Sequence, residues 1–442
     1  MDFDTISTEI PTIGPAKIPS PLQMGEHGEG FVDESERIII DMNLENISLA
    51  FEGNRPVPSF EKAGPRQNIY FDPRKLRCAL VTCGGLCPGL NDIIRATVLE
   101  LYYGYGVRNI YGIRYGLQGF IPDYGHEVVD LSPEVVVDIS NKGGSFLGSS
   151  RGPQDVEQII DCMERMNIGV LFMIGGDGTL MAASKIADAI EERGLKICVV
   201  GIPKTIDNDI YMVSRSFGFD TAVDVATNAI RAAHNEAEGY PDGVGLIKLM
   251  GRHSGFIACT ASLSQQDVNF VLIPEVDFDL DGPNGLLAAL ERRLAARRHA
   301  VIVAAEGAGQ NMLAEMQKGE QQFDESGNVR LHDIGLFLKD RINRHFTKKG
   351  AHISLKFIDP SYMIRSLPAN SNDQVFCSFL GRDAVHAALA GKTRMLVSHW
   401  NNQFVHVPLS ASAGRRKKVN PDGRLWYSVL EATGQGELKN KL

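Results

Sequence analysis

The 442-residue chain is 43% hydrophobic and 22% charged, the balance of a globular protein with room for roughly two to three domains. Its formal net charge of -9 excludes nucleic-acid binding as the main function, because such surfaces need a basic excess to displace counterions from phosphates. Small anionic ligands remain open to it through local arginines.

The opening Met1-Asp2-Phe3-Asp4 lacks the charged and apolar regions of a signal peptide. Residues 1–75 are rich in Pro, Gly and acids, hold one strand-like run at 37–42 and no long amphipathic pattern, and read as an extension wrapped over a larger body. A strand at 77–82 runs into Cys83-Gly84-Gly85-Leu86-Cys87-Pro88-Gly89, and 91–103 has helical spacing. Strands at 109–113 and 169–174, a helix at 180–193 and a strand at 197–202 continue an alternation that specifies a parallel sheet covered on both faces. A second series has helices at 221–236, 254–263 and 284–297 and strands at 245–250, 269–273 and 299–304. A helix and strand follow within 340–357, a helix at 374–389 and a hairpin at 395–407. The fold class is α/β: two similar doubly wound lobes with mainly parallel sheets, plus the N-terminal extension.

The seven cysteines (Cys78, Cys83, Cys87, Cys162, Cys198, Cys259 and Cys377) are scattered and mostly inside apolar runs. Reduced core thiols have that look, which points to the cytoplasm. Cys83 and Cys87 admit a metal pair, although no second pair completes a tetrahedral set. No apolar run is long enough to cross a bilayer. The final Asn440-Lys441-Leu442 has asparagine where a peroxisomal address needs a small residue, and reads as a frayed terminus.

Two turns carry the densest chemistry. Gly175-Gly176-Asp177-Gly178-Thr179 and Pro203-Lys204-Thr205-Ile206-Asp207-Asn208-Asp209 each follow a buried strand directly, and ligands of an open parallel sheet collect outside the carboxyl ends of its strands. Asp177, with glycine on either side, suits a magnesium-bound polyphosphate; a turn aspartate capping the following helix is the alternative. Asp207 and Asp209 can supply a base and a neighbour that raises its pKa, or form a plain Asx-turn. Lys204 favours the site, since a lysine at the mouth of a buried strand is costly unless an anion neutralises it.

Gly84, Gly85 and Gly89 let backbone N–H groups approach phosphate at a helix start, although tight packing explains such glycines equally well. No Gly-Lys-Ser/Thr ending makes this a Walker A loop. Glycine-rich runs with arginines recur at Gly143-Gly144-Ser145-Phe146-Leu147-Gly148-Ser149-Ser150-Arg151-Gly152-Pro153 and Met250-Gly251-Arg252-His253-Ser254-Gly255. An arginine held on such a turn stabilises a phosphoryl group in flight, or is a surface residue. Glu306 follows the strand at 299–304, in a position that fits either a sheet-end site or a helix cap. Tyr362 and Arg365 fit a surface pair as well as a site. Lys356 divides between a phosphate contact and a solvated face, and Arg415-Arg416-Lys417-Lys418 reads as a solvated loop, with contact to phosphate as the alternative.

Together these residues resemble the phosphofructokinase family over about residues 75–391, on Gly-Gly-Asp-Gly-Thr, Pro-Lys-Thr-Ile-Asp-Asn-Asp, Phe-Leu-Gly-Ser-Ser-Arg and Met-Gly-Arg-His-Ser-Gly in family order. The segment 59–73 resembles the one preceding the core in the plant and trypanosomatid branch. The resemblance implies Rossmann-like lobes: a donor lobe at 76–220 completed by 361–395, a sugar-phosphate lobe at 221–360 and a C-terminal segment at 396–442. It implies Asp207 as the base that activates the 1-hydroxyl of fructose 6-phosphate, with Asp209 beside it, and Arg252 and Arg151 assisting transfer. Thr205, Ile206, Met250, Gly251, Arg252, Glu306, Tyr362 and Arg365 would bind the sugar phosphate. Gly85, Arg151, Gly152, Gly176, Asp177, Gly178 and Thr179 would line the nucleotide, with Asp177 holding Mg2+. A homo-oligomer, a tetramer in preference to a dimer, is the implied assembly.

Within the family the donor is ATP or pyrophosphate. Pyrophosphate users carry aspartate where Gly178 stands, and its carboxylate fills and repels the space for a nucleotide's α-phosphate. Lys204 is the residue that pyrophosphate users have, whereas common bacterial ATP enzymes have glycine. The plant and trypanosomatid ATP enzymes share this mixture. An absent side chain is permissive and a lysine neutralises either donor, so Gly178 weighs more and the expected donor is ATP. Gly243 stands where common bacterial members supply an arginine to a neighbouring subunit, a departure that bears on their intersubunit contact and effector behaviour. A catalytically silent regulatory subunit is the alternative of another class, but it would be expected to lose Asp177, Asp207 or Arg252. An NAD kinase would leave 203–209 and 250–255 without a role.

Overall fold

A computed structural model of the protein describes residues 7–25, 29–53, 55–316 and 330–440. The readings made on Met1-Asp2-Phe3-Asp4 and on Lys441-Leu442 lie outside them. The chain divides into two compact units, one of Met1–Ile206, Ile210–Gly218 and Ser366–Arg416, the other of Asp207–Asp209, Phe219–Arg365 and Lys417–Leu442.

The first unit is built on a nine-stranded sheet in the order Arg37–Ile39, Ser59–Lys62, Gln403–Pro408, Met395–Trp400, Cys198–Pro203, Val170–Gly175, Arg77–Thr82, Asn109–Ile113, Val128–Asp130. The strands from Met395–Trp400 to Asn109–Ile113 run parallel, and the outer ones are antiparallel. Val170–Gly175 and Cys198–Pro203 are buried at every position, as expected of apolar, β-branched strands covered on both faces. Helix Asp177–Glu192 sends Leu180, Ala183, Ile186, Ala187 and Ile190 into the same core as Leu171, Met173 and Val199. That helical spacing makes one apolar stripe.

The N-terminal segment is more regular than its composition predicts. It holds helix Leu44–Glu52 and strand Ser59–Lys62 in addition to Arg37–Ile39. Ser59–Lys62 is too short to give a legible alternation, but buried Glu61 holds it in place. Its carboxylate takes Arg66 Nη2 at 2.8 Å, Lys392 Nζ at 2.7 Å and His406 Nδ1 at 2.9 Å. Burial opposes that charge, yet His406 and Lys392 outweigh it and hold the carboxyl well below its ordinary pKa. The helix expected at 91–103 ends at Leu99 and widens into a π turn, Glu100–Gly104.

The second unit has a four-stranded, all-parallel sheet in the order Phe270–Leu272, His299–Ala305, Gly243–Leu249, Ser354–Ile358. Helix Leu286–Arg297 supplies Leu286, Leu287, Leu290 and Leu294 to its core, and helix Ile334–Lys348 supplies Ile334, Leu338, Ile342 and Phe346. The chain end closes this core with Leu438, after Gln435 has bonded both backbone groups of Val271. Both units are α/β with mainly parallel sheets, as the alternation predicts. All seven cysteines are free thiols, and no helix of the described residues is long and apolar enough to cross a membrane.

Candidate active site

In the first unit, strand Val170–Gly175 delivers Gly175-Gly176 to the start of helix Asp177–Glu192. A Cβ at Gly175 would lie 2.2 Å from Thr179 Oγ1, so this turn closes only with glycine. The helix is capped by Gly176, without a side-chain cap. Asp177 is therefore not the capping residue: its Oδ1 accepts the Gly414 N–H at 2.7 Å, and its Oδ2 lies 4.0 Å from Arg416. The Arg415-Arg416 part of the basic run thus lies beside the acid rather than apart from it. A single carboxylate at the mouth of a glycine turn fits magnesium, which keeps several waters and takes one or two carboxylates plus phosphate oxygens. At Gly178 a Cβ would meet nothing within 4 Å, so the position opens on free space.

Lys204 is buried and donates from Nζ to the Gly85 carbonyl at 2.6 Å. This bond ties the end of strand Cys198–Pro203 to the glycine turn after Arg77–Thr82. The same turn is braced by the second glycine run: Ser149 Oγ donates to Gly84 O at 2.6 Å, and the Gly84 N–H donates to Ser150 O at 3.1 Å. A Cβ at Gly85 would come 3.9 Å from Arg151 Nη2. Gly85, Arg151, Gly152 and Lys204 therefore belong to one loop cluster. Gly89 is different: at φ +98° its Cβ would strike Cys377 Sγ and Phe217 at 2.8 Å, so tight packing accounts for it. Cys87 Sγ donates to Phe217 O at 3.4 Å, and burial pushes the Cys83 thiol up to about 12. The Thr205 carbonyl accepts from Ser216 Oγ at 2.6 Å, and the Ile206 side chain is buried.

In the second unit a separate set converges on Asp207. The Arg252 N–H approaches Asp207 Oδ2 at 3.4 Å, and Ser254 Oγ donates to Asp207 O at 3.0 Å. Gly251 makes this turn possible, with φ +125° and a Cβ that would lie 2.4 Å from Ser254 O. The Glu306 N–H donates to Leu249 O at 2.8 Å, which fixes Glu306 at the end of its strand. Burial, then the negative charges of Asp209 and Glu306, push the Asp207 carboxyl up to about 7. Burial also raises Glu306, with Arg365, Arg252 and Lys248 opposing. Asp207, Asp209, Arg252, Glu306 and Arg365 thus form one electrostatic group. The Met250 side chain is buried, and Tyr362 is 81% exposed on the short helix Ser361–Arg365.

Lys356 lies elsewhere: its amine sits 5.0 Å from the centre of the Tyr240 ring. The lysine near the acids is Lys248, bound to Asp333 and Asp359 at 2.8 Å each. Lys417 also joins the site. Its N–H donates to Asp209 O at 2.8 Å, its amine lies 5.1 Å from the Phe256 ring centre, and burial lowers it to about 8 against the pull of Asp209. Neither lysine was legible locally, one being a strand residue and the other part of a basic run. A further anchor, Glu275 Oε1, accepts the N–H groups of Gly255 at 3.0 Å and Val419 at 2.8 Å, and so fixes the segment after Lys417.

Residues 77–388 match the family described as Phosphofructokinase. A Borreliella burgdorferi protein named ATP-dependent 6-phosphofructokinase is 49% identical over 442 residues, covering 98% of this chain and 97% of its own. Arabidopsis thaliana ATP-dependent 6-phosphofructokinase 4, chloroplastic, is 44% identical over 90% of this chain and 76% of its own. Among solved structures, the pyrophosphate-dependent phosphofructokinase of Marinobacter aquaeolei superposes with a TM-score of 0.66 over 82% of this chain and 92% of that one, at 21% identity. That last likeness establishes the fold.

Proposed function

The chain belongs to the phosphofructokinase family, and on that premise we propose how its residues work. The protein is an ATP-dependent 6-phosphofructokinase, a phosphotransferase of glycolysis that makes fructose 1,6-bisphosphate from fructose 6-phosphate. In the reaction the 1-hydroxyl oxygen bonds to the γ-phosphorus, the bond from that phosphorus to the bridging oxygen breaks, ADP leaves, and the hydroxyl proton passes to Asp207.

The observation that carries the assignment of the base is the Asp207 carboxyl itself. It is oriented by the Arg252 N–H and held near neutrality by burial, Asp209 and Glu306. A base with a pKa near the working pH combines availability with driving force. Asp209 tunes it. Arg252 and Arg151 offset charge on the transferring group, while Glu306, Arg365, Tyr362 and the turn at Thr205 and Ile206 bind the sugar phosphate. Gly85, Gly152 and 176–179 make room for the nucleotide. A magnesium ion held by Asp177 would supply neutralisation of the donor phosphates. We assign the donor chiefly to the first unit, the sugar phosphate chiefly to the second, and the working form to a cytoplasmic homotetramer.

Gly178 supports ATP over pyrophosphate, because the space beside it is free of any side chain. The test of the mechanism is Asp207→Ser: turnover should vanish while thermal unfolding stays cooperative. Near-normal activity in that variant would overturn the assignment.

A further inference from the structure

Phosphoryl transfer makes no use of a cluster at the other end of the strand that leads to Glu306. His299 opens strand His299–Ala305. His234 and Glu238 lie one helical turn apart at the end of helix Phe219–Glu238, so they share a face. One ligand atom from each of the three lies within 4.8 Å of the others, and His234 Nε2 is 3.7 Å from Glu238 Oε1. Around a tetrahedral metal with bonds of about 2.1 Å, ligand atoms sit about 3.4 Å apart. Small side-chain rotations would close the set.

The outer nitrogens are already committed. His299 Nδ1 lies 3.1 Å from the Arg297 carbonyl. A carbonyl only accepts, so Nδ1 carries the proton and Nε2 keeps the lone pair. His234 Nδ1 faces Asp267 Oδ2 at 3.8 Å while its Nε2 faces Glu238. Metal-binding histidines are oriented in this way, by an acceptor on the far nitrogen. The two imidazoles meet edge to face, with ring centroids 5.4 Å apart and their planes at 66°, which keeps His299 beside the His234–Glu238 pair. A cavity of about 440 Å³ lined by Glu238, Tyr240, Arg297, Arg298 and His299 gives an ion access. Arg298 is paired with Asp242 at 3.2 Å, and the positive charges of Arg297 and of Arg293, whose Nε donates to the His299 carbonyl at 3.2 Å, favour water or a small anion as the outermost ligand.

We propose that His234, Glu238 and His299 form a binding site for a divalent transition-metal ion, zinc being the best match to two imidazoles and one carboxylate with a fourth position open. The ion would fasten the end of the long helix to the start of the strand and stabilise the folded state by mass action.

The test uses the full chain stripped of metal and titrated with Zn2+ by calorimetry and thermal melting. One equivalent should bind and raise the Tm. Asp177→Asn should keep that equivalent, whereas His234→Ala and His299→Ala should each weaken it at least tenfold. Failure of the wild type to bind one equivalent, or unchanged affinity in His299→Ala, would overturn the site. Should the alanine variants fail to fold, Co2+ added to the wild type decides: intense visible bands of a four- or five-coordinate ion support the site, and the weak spectrum of hydrated Co2+ refutes it.

Discussion

Gly178→Asp is the most informative substitution for the choice of donor. Gly178 is the second residue of helix Asp177–Glu192, and a Cβ there meets nothing within 4 Å. The fold therefore accommodates the new side chain. Replacing a helical glycine by aspartate recovers about 0.3 kcal/mol of propensity, and a carboxylate in the first turn gains about 0.3–1 kcal/mol from the helix dipole. The neighbouring Asp177 offsets part of this, so the Tm should move by no more than a few degrees. The catalytic effect is far larger. A carboxylate about 5 Å from a nucleotide phosphate, at an effective dielectric of about 20, costs about 3 kcal/mol. That is roughly a hundredfold in affinity. Steady-state kinetics with ATP, alongside a thermal melt, should show kcat/KM for ATP falling by that factor in a protein as stable as the wild type. An unchanged kcat/KM for ATP would refute the steric and electrostatic reasoning about this position.

The Asp207 carboxyl must lose its proton to act, so kcat/KM should rise with pH to a plateau through an apparent pKa near 7, falling tenfold per pH unit below it. The pH profile of kcat/KM reads that limb; a flat profile between pH 5 and 8 would contradict it. Arg365→Met should raise KM for fructose 6-phosphate about ten- to a hundredfold, the worth of a hydrogen bond to a charged group, with little change in KM for ATP. Glu61→Gln removes the buried charge shared by Arg66 and Lys392 and leaves them only the exposed Glu34 as an ionic partner, at about 1–3 kcal/mol in denaturant unfolding. Because the folded-state pKa of Glu61 is depressed, its contribution is complete above the unfolded-state value of about 4.3 and is lost as pH falls further. The wild type should therefore lose stability more steeply on acidification than the variant.

The parts of this protein that were legible in sequence are those in which one strand and one turn suffice. Apolar runs such as Val170–Gly175 read as buried strands because every residue is apolar, and glycine turns such as 175–179 read as sites because small residues interrupt those runs at a fixed place. The acid cluster was legible as residues, and so was the upward push of Asp209 on Asp207, but not the part of Glu306: nothing local says that a residue nearly a hundred positions later faces Asp207. Ser59–Lys62 was missed because its stability comes from contacts of Glu61 with Lys392 and His406 on distant segments. Lys417 hid in a charge run for the same reason. Its neighbours Phe256 and Asp209 come from elsewhere in the chain, and burial by distant segments leaves no periodic trace. Lys356 stays open between two roles in the sequence, since an alternating strand does not reveal which neighbour, here the Tyr240 ring, a long side chain will cover.

The most direct measurement is product formation by the purified protein. Fructose 1,6-bisphosphate should appear from fructose 6-phosphate and ATP in the presence of Mg2+, with one ADP released per sugar phosphorylated, and little should form with pyrophosphate at the same concentration. Turnover with pyrophosphate and none with ATP would contradict the donor assignment, and turnover with neither would contradict the activity itself.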